Sequence, residues 1–167
     1  MIHTLVDVVS KNGNLLLNVP VRGDGTIDSD ELAVVIEIGD WMQINKESIY
    51  ATRPWKIFGE GPAKDSAAPL SAQGFNEGKG KPFEAQDIRF NTKGKILYAT
   101  ALGWPTDGKI NIKSLFKGSE LYPNAVKSVK LLGAMGSAKF VQTSEGLSIT
   151  VPGEKTKLGY ALVFKIS

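Results

Sequence analysis

Asn14-Leu15-Leu16-Leu17-Asn18-Val19 is the stretch whose reading decides the fold of this chain. It is apolar without alternation, and Pro20, Gly23 and Gly25 close it. Such a run suits a strand buried on both faces, as in a parallel sheet. A strand of that kind needs partners for its backbone N–H and C=O groups. No other parallel strand with a crossover helix is legible in the sequence. The stretch therefore reads as an orphan. Residues 1–45 look like the last turn of a larger α/β domain whose earlier units lie outside this chain. A place inside a complete sheet of this chain, or in a loop exposed to water, would count against that reading.

The flanks of the stretch are helical. Ile2, Leu5, Val6 and Val9 fall at i, i+3, i+4 and i+7, one stripe of a short helix. Gly13 follows Asn12 where a left-handed cap is expected. A second helix starts at Asp28, with Glu31 placed to complete a capping box. Asp30 and Glu31 suit the positive end of its dipole. Leu32, Val35, Ile36 and Met42 mark one apolar face, and Val34, Ile38 and Trp41 a second. Two faces imply two neighbours, the parent sheet and something else.

Beyond Trp55 the signals turn to β. Residues 59–82 are rich in Gly, Pro, Ala, Ser and Lys and read as an extended surface loop. Strands are expected at residues 87–91, 96–102, 109–115, 126–132, 139–143, 147–151 and 160–166. Hairpin turns are expected at Asn91-Thr92-Lys93-Gly94 and Ser144-Glu145-Gly146. Short antiparallel strands with turn residues between them argue for a β-sandwich. The expected class is mainly β: a C-terminal antiparallel β-sandwich preceded by a helix-strand-helix remnant of a (β/α)8-type barrel. The division is 1–55 (end of the barrel), 56–82 (linker) and 83–167 (sandwich).

Composition removes several function classes. The 167 residues carry 20 Lys plus Arg against 17 Asp plus Glu, a net charge of +3. That excess is too small to imply a nucleic-acid partner, and the only arginines are Arg22, Arg53 and Arg89. No apolar run approaches the ~20 residues that span a bilayer, so no membrane partner is expected. The first ten residues lack the cationic start and long apolar core of a signal peptide. Cysteine is absent, which excludes disulfides, Cys-ligated metal and a Cys nucleophile. The single histidine, His3, excludes a His-x-x-x-His metal site.

Few motifs suggest chemistry. Asp24-Gly25-Thr26-Ile27-Asp28-Ser29-Asp30-Glu31 imitates the second half of an EF-hand loop, but Pro20 and Arg22 would occupy its first and third positions. The helix-cap reading is preferred, and no metal or cofactor is expected. Glycines at 74–80 and 133–136 complete no phosphate-binding pattern. Trp41, Tyr50, Trp55, Phe58 and Trp104 could stack on sugar rings. Trp41 reads better as core, and Tyr50, Trp55 and Phe58 as packing at the change of composition. Trp104-Pro105 would close a strand end. No carboxylate pair stands out as an acid/base couple.

Several phrases together resemble one family. They are Leu5-Val6-Asp7, then Ser10-Lys11-Asn12-Gly13-Asn14-Leu15-Leu16-Leu17-Asn18, Asp24-Gly25-Thr26-Ile27 and Glu37-Ile38-Gly39-Asp40-Trp41. Glu47-Ser48-Ile49-Tyr50-Ala51-Thr52-Arg53-Pro54-Trp55 and Gly59-Glu60-Gly61-Pro62 follow. Ile88-Arg89-Phe90-Asn91, Leu97-Tyr98-Ala99, Gly103-Trp104-Pro105, Val129-Lys130-Leu131-Leu132-Gly133 and Ala161-Leu162-Val163-Phe164-Lys165-Ile166 complete the set. In this order they resemble the C-terminal region of α-L-fucosidases, retaining glycoside hydrolases that remove terminal fucose. The resemblance implies a (β/α)8-like catalytic barrel followed by a β-sandwich. It also implies that the nucleophilic Asp, the acid/base Glu and the fucose-holding histidines lie upstream, so no catalytic residue is carried by this chain.

The expected function is therefore the non-catalytic C-terminal part of an exo-acting α-L-fucosidase, bracing the barrel and inactive alone. Its partners would be a fucosylated glycan in the full-length enzyme and the missing N-terminal barrel. Asn18, at the end of the last barrel strand, is the one substrate-binding candidate, with a structural hydrogen bond to loop backbone the preferred alternative. Loss of the barrel predicts self-association, or repacking of the helices onto the sandwich. The alternative function is a carbohydrate-binding β-sandwich module, marked by exposed aromatics on a loop rim. The resemblance implies a periplasmic or secreted full-length protein.

Overall fold

The computed structural model describes residues 1–65, 82–153 and 159–167. Helices α1 (Ile2–Ser10), α2 (Ser29–Asn45) and the single turn α3 (Pro62–Asp65) accompany eight strands. The strands are β1 (Arg53–Glu60), β2 (Ile88–Lys93), β3 (Ile96–Ala101), β4 (Lys109–Ile112), β5 (Val129–Leu131), β6 (Lys139–Thr143), β7 (Gly146–Thr150) and β8 (Leu162–Ile166). They form a five-stranded sheet in the order β1-β2-β3-β8-β5 and a three-stranded sheet in the order β4-β7-β6. All pairings are antiparallel.

Alternation along the strands builds two cores. Ile88, Phe90, Ala99 and Phe164 face the smaller sheet and meet Ile110, Ile112, Leu147 and Ile149. The residues between them point the other way, as the period-2 pleat requires. Tyr98 and Val163 there meet Ile2 and Val6 of α1 and Trp41 of α2. The larger sheet is thus covered on both faces, by strands on one side and helices on the other. Trp41 is fully buried, and its indole Nε1–H donates to the Ala161 carbonyl at 3.0 Å.

A strand lies within or over every stretch expected from residue 87 onward, although residues 113–115 form a 3-10 turn rather than strand. The turn at Ser144-Glu145-Gly146 falls where expected, whereas the first hairpin turns at Gly94-Lys95, with Asn91, Thr92 and Lys93 inside β2. Four features differ. First, residues 14–19 form no strand and pair with no described strand. They run through solvent, with Leu16 95% exposed. A strand without a partner leaves its backbone to water. That is the placement said to count against an orphaned barrel strand, so the barrel reading cannot rest on this stretch.

Second, β1 is an added strand, and the boundary expected at 55 falls inside it. Proline in Arg53-Pro54-Trp55 hid it. Only an edge strand tolerates proline, and β1 is the edge. Most of the expected linker, residues 66–81, lies outside the described residues, as do the glycines at 74–80. Third, the left-handed residue after α1 is Asn12, at φ 62°, not Gly13. Asn tolerates that conformation. Gly13 serves close approach instead, since a Cβ there would lie 2.9 Å from Val8 Cγ1. Fourth, Asp28 caps α2 through the Asp30 N–H, but its second partner is Arg22 at 2.6 Å rather than Glu31.

The two faces of α2 separate as expected, except for Met42 and Val34. Ile38, Trp41 and Met42 pack on the sheet, while Leu32 and Ile36 stay 43% and 53% exposed. Val34 also stays exposed, although the sequence places it with Trp41. No helix among the described residues is long and apolar enough to cross a membrane. Trp41→Ala should lower stability by about 3–5 kcal/mol, because a large buried ring leaves a cavity. Denaturant unfolding measures this, and Leu32→Ala should cost far less.

Candidate functional site

The most heavily built polar region lies where the helices meet the larger sheet. Arg89 on β2 points to that side, where alternation would otherwise put it in water. Its side chain is 2% exposed, and its Nε–H donates to Asp7 Oδ1 of α1 at 2.5 Å. One Nη1–H donates to the Ile88 carbonyl at 3.0 Å. The guanidinium lies 5.6 Å from the Phe58 ring centre and 5.1 Å from that of Phe83, a cation–π arrangement. Lys11 donates to the other oxygen of Asp7 at 2.7 Å. A buried charge is tolerated only when paired and hydrogen-bonded, and both conditions hold here.

The neighbouring phrase Gly59-Glu60-Gly61 is shaped by this arrangement. A Cβ on Gly59 would lie 2.4 Å from the Ile88 carbonyl oxygen and 2.8 Å from Arg89 Cδ. Glu60 accepts the N–H groups of Lys113 and Ser114 at 2.6 and 2.8 Å, together with the Ser114 hydroxyl. Those donors open a short 3-10 turn, so one carboxylate satisfies its start and ties the sheets together. Gly61, at φ 116°, lets fully buried Asp87 approach, and Asp87 accepts the Ala63 and Glu84 N–H groups at 2.7 and 2.9 Å.

A second set of bonds closes the far end of α2. Asn45 donates to the Trp41 carbonyl, Ser48 to the Asn45 carbonyl, and Asn91 of β2 to the Ser48 carbonyl. The helix end is thereby satisfied from the sheet itself. Glu47 accepts from Lys165 at 2.7 Å and from the Tyr98 hydroxyl at 3.1 Å. The Lys165 bond holds the Glu47 carboxyl below its ordinary range. Burial, and then the bond to Glu47, push Tyr98 up to about 12. His3 reaches the Tyr160 carbonyl at 2.6 Å, which requires the proton on Nε2.

Beside this interface runs a groove of about 1000 Å³ between the second half of α2 and the ends of β5 and β8. Half-buried Trp104 lines it with Leu131 and Leu132, and Glu37, Asp40 and Gln43 form its polar rim.

The structure separates the aromatics considered for sugar stacking. Trp41 is core. Trp55 packs edge-on against Phe90 at 4.9 Å, and Phe58 packs under Arg89. Tyr50 is 62% exposed, so the packing expected of it is not found. Trp104 alone of the five lines the groove beside α2. Asn18 is exposed and shows no hydrogen bond among the described residues, so the expected structural bond is not seen. In the EF-hand-like stretch Asp24 accepts from Thr26, an Asx turn, and Asp28 accepts from the Asp30 N–H, the helix cap. Gly133 and Gly136 occupy the turn after β5 with positive φ. Sequence reasoning missed the Asp7–Arg89 pair. The signal available was an arginine between Ile88 and Phe90, but its partner is 82 positions away.

A five-stranded sheet covered by strands on one face and by two helices on the other defines a mainly β fold of antiparallel sheets with helices packed against it. Comparison with known proteins agrees. The model of the α-L-fucosidase family matches residues 1–47, and that of the α-L-fucosidase C-terminal domain matches residues 81–167. The chain belongs to the α-L-fucosidase family. Rat tissue α-L-fucosidase is 31% identical over 91% of this chain and 27% of its own length. The mouse protein of the same name is 32% identical, with 91% and 28% covered. The crystal structure of Thermotoga maritima α-fucosidase superposes with a TM-score of 0.70 at 29% identity, over 99% of this chain and 33% of that one. The chain thus spans about a quarter to a third of the relatives it matches.

Two outcomes are expected at the interface. Asp7→Asn should cost about 3–5 kcal/mol because it strands the buried Arg89, Arg89→Met less because Asp7 keeps Lys11, and the double variant less than the sum. A denaturation double-mutant cycle reads this coupling. Since Tyr98 loses its proton less readily folded than unfolded, its contribution is intact below about pH 10 and lost as pH rises toward about 12. Glu47→Gln should bring the Tyr98 titration down, as followed by phenolate absorbance.

Proposed function

We propose that this chain acts as the C-terminal, non-catalytic part of an exo-acting α-L-fucosidase that hydrolyses terminal α-L-fucosyl linkages of glycans. Its work is to brace the catalytic barrel. The observation that carries this reading is the two-sided α2. One face is locked onto the sheet through Trp41, and the other presents Leu32 and Ile36 to solvent. Leu16, Leu17 and Val21 add exposed apolar surface nearby in sequence, at 95%, 40% and 63%. An apolar area of this kind marks an interface. Its occupant in this proposal is the catalytic barrel that the family resemblance implies for the part of the relatives' length this chain does not span. The chain holds α1 and α2 in fixed positions and offers them to that barrel. Asn18, exposed and without a hydrogen bond among the described residues, is the residue proposed to reach toward the sugar site of the assembled enzyme.

Two measurements test this. Purified chain should not hydrolyse an aryl α-L-fucoside. Turnover that disappears on substitution of an internal Asp or Glu would overturn the non-catalytic assignment. Without a barrel the exposed face should drive concentration-dependent self-association, visible by sedimentation. The double variant Leu16→Ser, Ile36→Ser should shift the chain toward monomer while its melting temperature stays nearly unchanged.

A further inference from the structure

The groove beside α2 has the chemistry of a binding site, and the bracing role does not use it. Its volume of about 1000 Å³ reaches the upper end of small-molecule sites, which run from about 300 to about 1,000 Å³. One wall is the half-buried Trp104 ring, whose inner side packs on the core and so holds it in place. The floor is apolar, with Leu131, Leu132 and Ala161 among its residues. The lining also includes Glu37, Asp40 and Gln43, exposed and successive polar positions on α2. None of these three forms a hydrogen bond or ion pair among the described residues. Acceptors and an amide donor therefore line the same groove as a fixed aromatic side chain.

We propose that this groove is a saccharide-binding site for a neutral oligosaccharide. The apolar face of a pyranose ring matches an aromatic plane. Its hydroxyls match acceptor-only carboxylates and the two-way amide of Gln43. The rim charge excludes sulfated or otherwise anionic sugars, because like charges repel at close range. A cationic ligand is the weaker match, since exposed carboxylates gain little from an ion pair in water. The volume admits more than one ring, so the ligand is an oligosaccharide rather than free fucose.

The test uses the neutral trisaccharide fucosyllactose and its sulfated counterpart at millimolar concentration. Saturation-transfer NMR reports contact, and the Trp104 indole N–H shift reports the place. The neutral sugar should give transfer and move the Trp104 signal, and the sulfated one should give neither. Trp104→Ala should raise Kd about tenfold or more. Gln43→Ala and Asp40→Asn, both at exposed positions that leave the fold intact, should each raise it several-fold. Absence of transfer from the neutral sugar would overturn the proposal. So would equal binding of the sulfated sugar, or binding unchanged in Trp104→Ala and Gln43→Ala. Because this readout needs neither hydrolysis nor a barrel, its failure would leave the bracing role standing.

Discussion

A guanidinium buried in a sheet face must be answered by a carboxylate, and Asp7 answers Arg89. Much of the architecture follows from that requirement. The carboxylate comes from α1, so a nine-residue helix is held against a strand more than eighty positions away. A helix that short is marginal in water by itself. The ion pair fixes its place, and Ile2 and Val6 supply the apolar contact. Phe58 and Phe83 close around the charge, and Gly59 leaves room for its stem. Buried pairs of this kind contribute little net stability against an apolar alternative. Their worth is in orientation, because only one docking of α1 satisfies both charges.

Trp41 performs the same task for α2 by other means. Its ring supplies area, and its N–H selects a single carbonyl. The bonds running from Trp41 through Asn45 and Ser48 to Asn91 then satisfy the end of the helix with a strand side chain. Helices and sandwich are thereby one folded unit. This is why the apolar surface left over on Leu32, Ile36 and residues 14–19 faces outward in a defined direction.

The β half of the fold was legible because period-2 alternation and turn residues are local signals. Ile110/Ile112 and the Gly94 and Gly146 turns needed no distant information. The two faces of α2 were legible for the same reason, apart from Met42 and Val34. The failures were non-local or masked. Proline hid β1, since an edge position cannot be told from a loop by sequence. The strand read into 14–19 is apolar enough, but pairing depends on a neighbour that the described residues do not supply. The interface charges could not be assigned at all, because alternation alone makes Arg89 and Asn91 look solvated. The family phrases marked the right positions without giving their reasons. Gly59, Glu60 and Gly61 proved to serve Arg89, the 3-10 turn and Asp87 in that order.

Amide hydrogen exchange along the chain tests most directly whether helices and sandwich form a single cooperative unit. Amides of α1 and the second half of α2 should exchange with the same opening free energy as those of β2 and β3, within experimental scatter. Exchange of α1 at the rate of an unstructured peptide, while β2 and β3 stay protected, would contradict the account: the helices would then be loosely attached, and the buried charge pair would not be holding them.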